Sequence, residues 1–240
     1  MKQLTFLIIA LIFSCSFAFG QSMELTDKLP NDPSVITGTL KNGMTYYIKA
    51  NKQPENRAEL TLAVKAGSVL EDEDQQGLAH FTEHMAFNGS TNFPKNELVN
   101  YLESLGMKFG PEVNAYTSFD ETVYGIKVPT DDPEFIDKGL LVLYDWASEL
   151  SLETEEIDAE RGVIHEEWRM GQGAMDRVQR KYLQAIFHNS IYAKRLPIGT
   201  MEVVDNCDPE AIRRFYRDWY RPDLMALILV GDFDAKEMEQ

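Results

Sequence analysis

The stretch HFTEHMAFNGS (His80–Ser90) places two of the chain's four histidines one helical turn apart, with an acid between them. At about 100° per residue, a helix over Gln75–Phe87 gathers Gln76, His80, Glu83, His84 and Phe87 into one narrow sector. Leu78, Phe81 and Met85 fall on the opposite side, suited to packing on a sheet, and Asn88-Gly89 ends the helix. A lone histidine beside an apolar face is most often structural. Two at i and i+4 with a glutamate at i+3 are different, because both imidazoles reach one ion from a single helix face.

H-x-x-E-H is the inverted order of a well-known zinc-protease signature. Ordinary polar decoration of a helix is the competing reading. Catalytic zinc takes three protein ligands and leaves a position for water, so an acid or another histidine is needed from a separate element. TEEIDAERGVIHEEWRM (Thr154–Met170) offers several candidates. On a helix, Ile157, Ile164 and Trp168 form its buried stripe. Glu160 and Glu167 stack along one flank of that stripe, while His165 and Glu166 point away. Taken alone, this segment reads as a charge-rich solvated surface; a histidine pair upstream that needs a carboxylate is what weakens that reading.

The surrounding chain supplies a scaffold. GTLKNGMTYYIKAN reads as a hairpin with a two-residue Asn42-Gly43 turn. RAELTLAVKAGS continues as a strand with Leu60, Leu62 and Val64 on one face. PKNELVNYLESLGM reads as a helix bounded by Pro94 and Gly106. NAYTSFDETVYGIKVPT reads as two strands around Phe119–Glu121. Helices follow over Pro133–Leu150 and Thr154–Met170, then in AMDRVQRKYLQAIF and DPEAIRRFYRDWY. LMALILVGDFD is a buried strand ended by Gly231, and DAKEMEQ begins a further helix. Strands, then helices, then a strand indicate an α+β fold, a mostly antiparallel sheet covered by helices.

Composition narrows the function. The chain has 240 residues, is 44% hydrophobic, and carries a net charge of −16 from 23 Lys plus Arg against 39 Asp plus Glu. It is long enough for one sizeable core, and its charge argues against a nucleic-acid surface, which needs clustered cations. Met1-Lys2 followed by the apolar run LTFLIIALIFSCSFAFG reads as an export signal over 1–20, with cleavage near Gly20-Gln21. The mature chain then has no integral membrane span and sits in a bacterial periplasm or envelope; a lipid anchor on Cys15 is the alternative. Residues 21–36 are a lead-in, and 37–240 a single domain that reads as the first part of a longer chain. Cys15 and Cys207 are the only cysteines, too few for a disulfide framework.

Together these segments resemble the inverzincin peptidases, the family of pitrilysin, insulin-degrading enzyme and the processing peptidases. The shared pattern is His80-Phe81-Thr82-Glu83-His84, followed by Glu160-Arg161 through Glu167 as E-R-x5-E. MAFNGSTNFPKNEL, NAYTSFDETVY, RLPIGTMEVV and WYRPDLMALILVGDFD also look like the family, from about Gly38 onward. The resemblance implies one Zn2+ per chain held by His80, His84 and Glu167. It implies Glu83 as the base acting on water, and Glu160 as an assisting acid. Asn114 and Ala115 would help hold the backbone of an extended peptide or unfolded polypeptide substrate. Family enzymes enclose substrate with a second homologous half, in cis or as a partner subunit. That half supplies an arginine and a tyrosine that nothing here matches. Two other readings remain: a non-catalytic binding or assembly domain of the same family, and a lyase resembling S-ribosylhomocysteinase, with Cys207 as the third ligand.

Overall fold

The hairpin expected at Asn42-Gly43 is formed by β1 (Ile36–Thr39) and β2 (Thr45–Ala50), paired antiparallel with Thr39 opposite Thr45. Its connection is longer than a two-residue turn. Gly43 donates to the Leu40 carbonyl at 2.9 Å, Leu40 donates to the Met44 carbonyl at 2.8 Å, and Gly43 lies at φ +97°. This is a tight turn closed by a left-handed residue, the conformation that glycine adopts without steric cost.

The computed structural model of the chain describes residues 30–95, 97–104 and 110–240. The expected signal peptide, Cys15, most of the lead-in and Gly106 lie outside them. Pro33–Gln240 is one compact unit.

β3 (Arg57–Val64) alternates as its sequence requires, burying Ala58, Leu60, Leu62 and Val64. β4 (Val113–Thr117) and β5 (Thr122–Pro129) pair antiparallel around a turn in which Ser118 donates to the Glu121 carbonyl at 2.8 Å. β6 (Met225–Gly231) completes the sheet, whose order is β1-β2-β6-β3-β5-β4. It runs parallel to β2 and antiparallel to β3, and every other pairing is antiparallel. Its apolar run suits a strand paired on both sides. Only Met225, Leu229 and Gly231 are fully buried, however, so it is half-buried where a wholly buried strand was expected. Its alternate residues face the less covered side of the sheet.

Among the described residues the α-helices are α1 (Leu78–Met85), α2 (Glu97–Ser104), α3 (Pro133–Ser148), α4 (Thr154–Met170), α5 (Ala174–Ile186), α6 (Met201–Asn206), α7 (Pro209–Trp219) and α8 (Ala235–Met238). α3 and α7 both begin at a proline after an aspartate. The Asp132 and Asp208 side chains accept from the amides of Glu134 and Glu210, which satisfies a donor that each helix start leaves open. Trp146 of α3 packs on Tyr124 of β5, and Gly139 lets α3 approach so closely that a Cβ there would meet Leu60 Cδ1 at 2.6 Å. The architecture is α+β. Among the described residues, no helix is long and apolar enough to cross a membrane.

α1 is shorter than the sequence suggests. A separate 3-10 turn occupies Glu73–Gln75, and Gly77 at φ +106° divides it from α1. Gln76 therefore leaves the expected sector and donates to Glu73 at 2.9 Å, while Phe87 lies beyond the helix with its ring 5.3 Å from Trp146. The break arises from a close approach between two backbones. A Cβ on Gly199 would lie 2.3 Å from the Gln76 carbonyl oxygen and from Gly77 Cα. Gly199→Ala is expected to destabilise the fold by about 1–3 kcal/mol or more, read as a lower midpoint in equilibrium denaturation. A midpoint equal to the wild type's would show that this contact does not constrain the start of α1.

Candidate metal centre

α1 has eight residues, six of them buried: Leu78, Ala79, Phe81, Thr82, Glu83 and Met85. The two that reach the surface are His80 and His84. Such a short helix has little stability of its own, and the core holds it at both ends. At its start, Glu71, only 4% exposed, accepts the Gly77 and Ala79 amides on Oε1 at 3.0 and 2.9 Å. At its end, the Trp146 indole donates to the Ala86 carbonyl at 2.8 Å. Asp145, beside Trp146, accepts from Ser90 Oγ at 2.5 Å and from the Asn92 amide at 2.9 Å, fixing the chain that leaves the helix.

α4 packs beside α1. Ile157 and Ile164 are buried as expected. Trp168 is only half-buried, because the last turn of α4 contributes nothing to the core, and its ring lies 5.8 Å from His165. His165 and Glu166 point away toward Asp205 and Arg169. The flank carrying Glu160 and Glu167 meets α1. His80 Nε2 and His84 Nε2 stand 3.2 Å apart, and Glu167 Oε2 lies 3.5 Å from the first and 3.4 Å from the second. These three atoms form a nearly equilateral triangle. A tetrahedral cation with bonds of about 2.0–2.1 Å separates its ligand atoms by roughly 3.3–3.4 Å. The donor set therefore fits such an ion in spacing as well as in chemistry. Cys207 is not part of this group; its sulfur takes an Arg161 contact at 3.1 Å.

Behind the triangle, His84 Nδ1 lies 2.7 Å from Glu160 Oε1. A carboxylate only accepts, so Nδ1 carries a hydrogen, and Nε2 is the nitrogen turned toward His80 and Glu167. Asn88 Nδ2 donates to the second oxygen of Glu160 at 2.6 Å. The two imidazoles titrate in opposite directions. Burial, and then the neighbouring His84, lower His80 to about 4. Burial also opposes charge on His84, but the hydrogen bonds to Glu160 and Glu167 outweigh it and raise that residue to about 9. Glu167 is lowered, first by its bond to His84. Two ring nitrogens 3.2 Å apart cannot both carry a proton, so the two imidazoles are not both charged.

Glu83, 8% exposed, lies on the neighbouring side of α1. Burial raises its carboxyl above the usual range, against the lowering effect of the Thr117 hydroxyl, which donates to Oε2 at 2.7 Å. Thr117 ends β4, the edge strand of the sheet, which runs beside α1. Asn114 and Ala115 lie on the same strand, opposite Gly125 and Tyr124. Asn114 is exposed and Ala115 is half-buried against the core. The structure thus brings His80, Glu83, His84, Glu160 and Glu167 together, with the strand of Asn114 and Ala115 alongside. Sequence reasoning misses Glu71, Asn88 and Thr117, since nothing in their local spacing signals a partner on another element.

Residues 46–197 match the family model described as Insulinase (Peptidase family M16), and residues 206–240 match one described as Peptidase M16 inactive domain. The first covers more than half the chain, so fold and sequence together define an M16-type peptidase domain: the chain belongs to the insulinase family. It is 39% identical to the "Probable zinc protease PqqL" of Haemophilus influenzae over 99% of this chain and 26% of that protein. It is 41% identical to the Escherichia coli protein of the same name over 87% of this chain and 22% of the relative. Among solved structures it resembles the first half of the periplasmic protease PqqL from Escherichia coli, with a TM-score of 0.86 and 40% identity over 89% of this chain and 46% of that one. The chain thus spans about a quarter of the length of these curated relatives.

The support of α1 by a buried carboxylate has a measurable consequence. Burial pushes Glu71 up to about 8, against the lowering pull of the Ala79 and Gly77 amides and of Arg195. The folded state therefore binds this proton more tightly than the unfolded chain does. The resulting stabilisation is complete below the ordinary carboxyl pKa and is lost as pH rises through about 8. Relative to Glu71→Gln, the wild-type protein should lose stability between about pH 5 and pH 9, measured by denaturation across that range. Parallel profiles for the two proteins would contradict it.

Proposed function

We propose that this chain is the metal-bearing domain of a zinc endopeptidase that hydrolyses peptides or small unfolded proteins. The observation that carries this reading is the triangle of His80 Nε2, His84 Nε2 and Glu167 Oε2, with edges of 3.2, 3.4 and 3.5 Å, beside a buried glutamate. His80, His84 and Glu167 would hold one zinc. When bound, zinc in such a set supplies a Lewis acid that activates water and polarises a peptide carbonyl.

The remaining steps belong to the chain's own groups. Glu83 takes a proton from water and returns it to the departing amine; its burial, which raises its pKa, suits a proton acceptor near neutral pH. Glu160 keeps the hydrogen of His84 on Nδ1 and fixes the ring. Substrate adds as an extended strand along β4, the edge strand among the described residues, past Asn114 and Ala115, mostly through its backbone. Sequence preference is then loose.

A second homologous half completes the enzyme in cis, a reading supported by relatives about four times this length. Export to a bacterial periplasm is supported by the likeness to a periplasmic protease of Escherichia coli and by the apolar leader. A non-catalytic binding or assembly domain would keep the fold without needing the donor set, and here the set is complete.

Metal analysis should find one zinc per chain. His80→Ala and Glu167→Ala should lose the metal. Glu83→Gln should keep it while hydrolysis of an unfolded peptide by the longer protein falls by about 10²–10⁴-fold. Zinc retained in both ligand variants, or full activity in Glu83→Gln, would refute the assignment.

A further inference from the structure

We propose that Thr117 is a positioning residue for Glu83: its hydroxyl holds one carboxylate oxygen so that the other exchanges the proton with water. The proposal rests on the peptidase reading and adds to it the group that orients the base.

The hydroxyl of Thr117 has one proton and two neighbours that could accept it, Glu83 Oε2 at 2.7 Å and Thr122 Oγ1 at 3.4 Å. Thr122 commits its own proton to the Ala66 carbonyl at 2.9 Å. Distance and charge both direct the Thr117 proton to the carboxylate, since a bond to a charged acceptor is the stronger kind. The donor is well fixed. Thr117 pairs with the fully buried Thr122 at the end of the β4–β5 ladder, next to the turn closed by Ser118 and Glu121. The glutamate, by contrast, has several rotatable bonds, and a carboxylate free to swing would present either oxygen.

The placement on β4 matters as much as the bond. Ala115 and Thr117 lie on the same face of one strand, two residues apart, and that strand is the proposed seat of the substrate backbone. One rigid element then sets both the register of the peptide and the orientation of the base. This is the kind of preorganisation that lets a proton move without a search for geometry. Substrate affinity should depend little on the Thr117 hydroxyl, and turnover should depend on it strongly.

The test uses the full-length protein with Thr117→Val, which keeps the shape but loses the donor, and Thr117→Ser, which keeps the donor. Thr117→Ala serves as a second donor-less variant should the valine fold poorly. Zinc content, the dissociation constant of an unfolded peptide on metal-free protein, kcat and KM are measured for each. The valine and alanine variants should lose roughly 10- to 100-fold in kcat, with zinc content and peptide affinity unchanged, and serine should restore most of the loss. Wild-type kcat in the donor-less variants, a serine variant as impaired as valine, or loss of zinc or peptide affinity in step with kcat would each overturn the proposal. A zinc-loaded wild-type protein that cleaves nothing would instead remove the peptidase reading, and this proposal with it.

Discussion

An eight-residue helix buried on most of its surface depends on what satisfies its ends. α1 has no side-chain cap of its own, since Gly77 precedes it. Glu71 supplies the missing acceptor from an adjacent loop, and Trp146 supplies a donor for the Ala86 carbonyl from α3. An unpaired backbone amide or carbonyl in this interior would cost about as much as a lost hydrogen bond. These two contacts therefore set where α1 lies as well as whether it forms. With its position set, six of its residues turn inward and only His80 and His84 look out.

Electrostatics make the same point at the next level. The chain carries a net charge of −16, and acids are common on its surface, so carboxylates alone identify nothing. What distinguishes Glu160 and Glu167 is that α4 sends them to one side and Arg161 to the other. Arg161 donates to the carbonyls of Val204 and Cys207, tying α4 to α6. With that side anchored, Glu160 reaches His84 and Asn88, and Glu167 closes the triangle although its side chain is about half exposed. The ordered run from Asn88 through Glu160 to His84 is a hydrogen-bond network whose members are each satisfied by the next, the condition under which buried polar groups add rigidity.

Much of this is legible in the residues alone. The i, i+4 spacing of the histidines and the seven-residue spacing of the two glutamates are properties of a helix. Helices are readable from apolar period, from Asp-Pro starts at α3 and α7, and from glycine endings. The differences share a cause. Periodicity puts Gln76 and Phe87 in the α1 sector because nothing nearby announces that Gly77 meets Gly199, more than a hundred residues downstream. It puts Trp168 in the buried stripe because the pattern does not show where the core stops. Glu71 stands out only as one more acid in SVLEDED, and Thr117 as one more strand threonine, because each acts across elements that are adjacent only in space.

By itself the sequence determined which side chains share a face: two histidines and a glutamate on one short helix, two glutamates on another, alternating apolar residues on the strands. These follow from the 3.6-residue and 2-residue periods of the backbone, which hold wherever the element sits. Only the tertiary structure decided that the two faces meet, that the three donor atoms stand 3.2 to 3.5 Å apart, and that Thr117 reaches Glu83. Those distances depend on how α1 and α4 pack on a common sheet. That packing is set by the buried contacts of Glu71, Trp146, Asp145 and Gly199, which local periodicity does not encode.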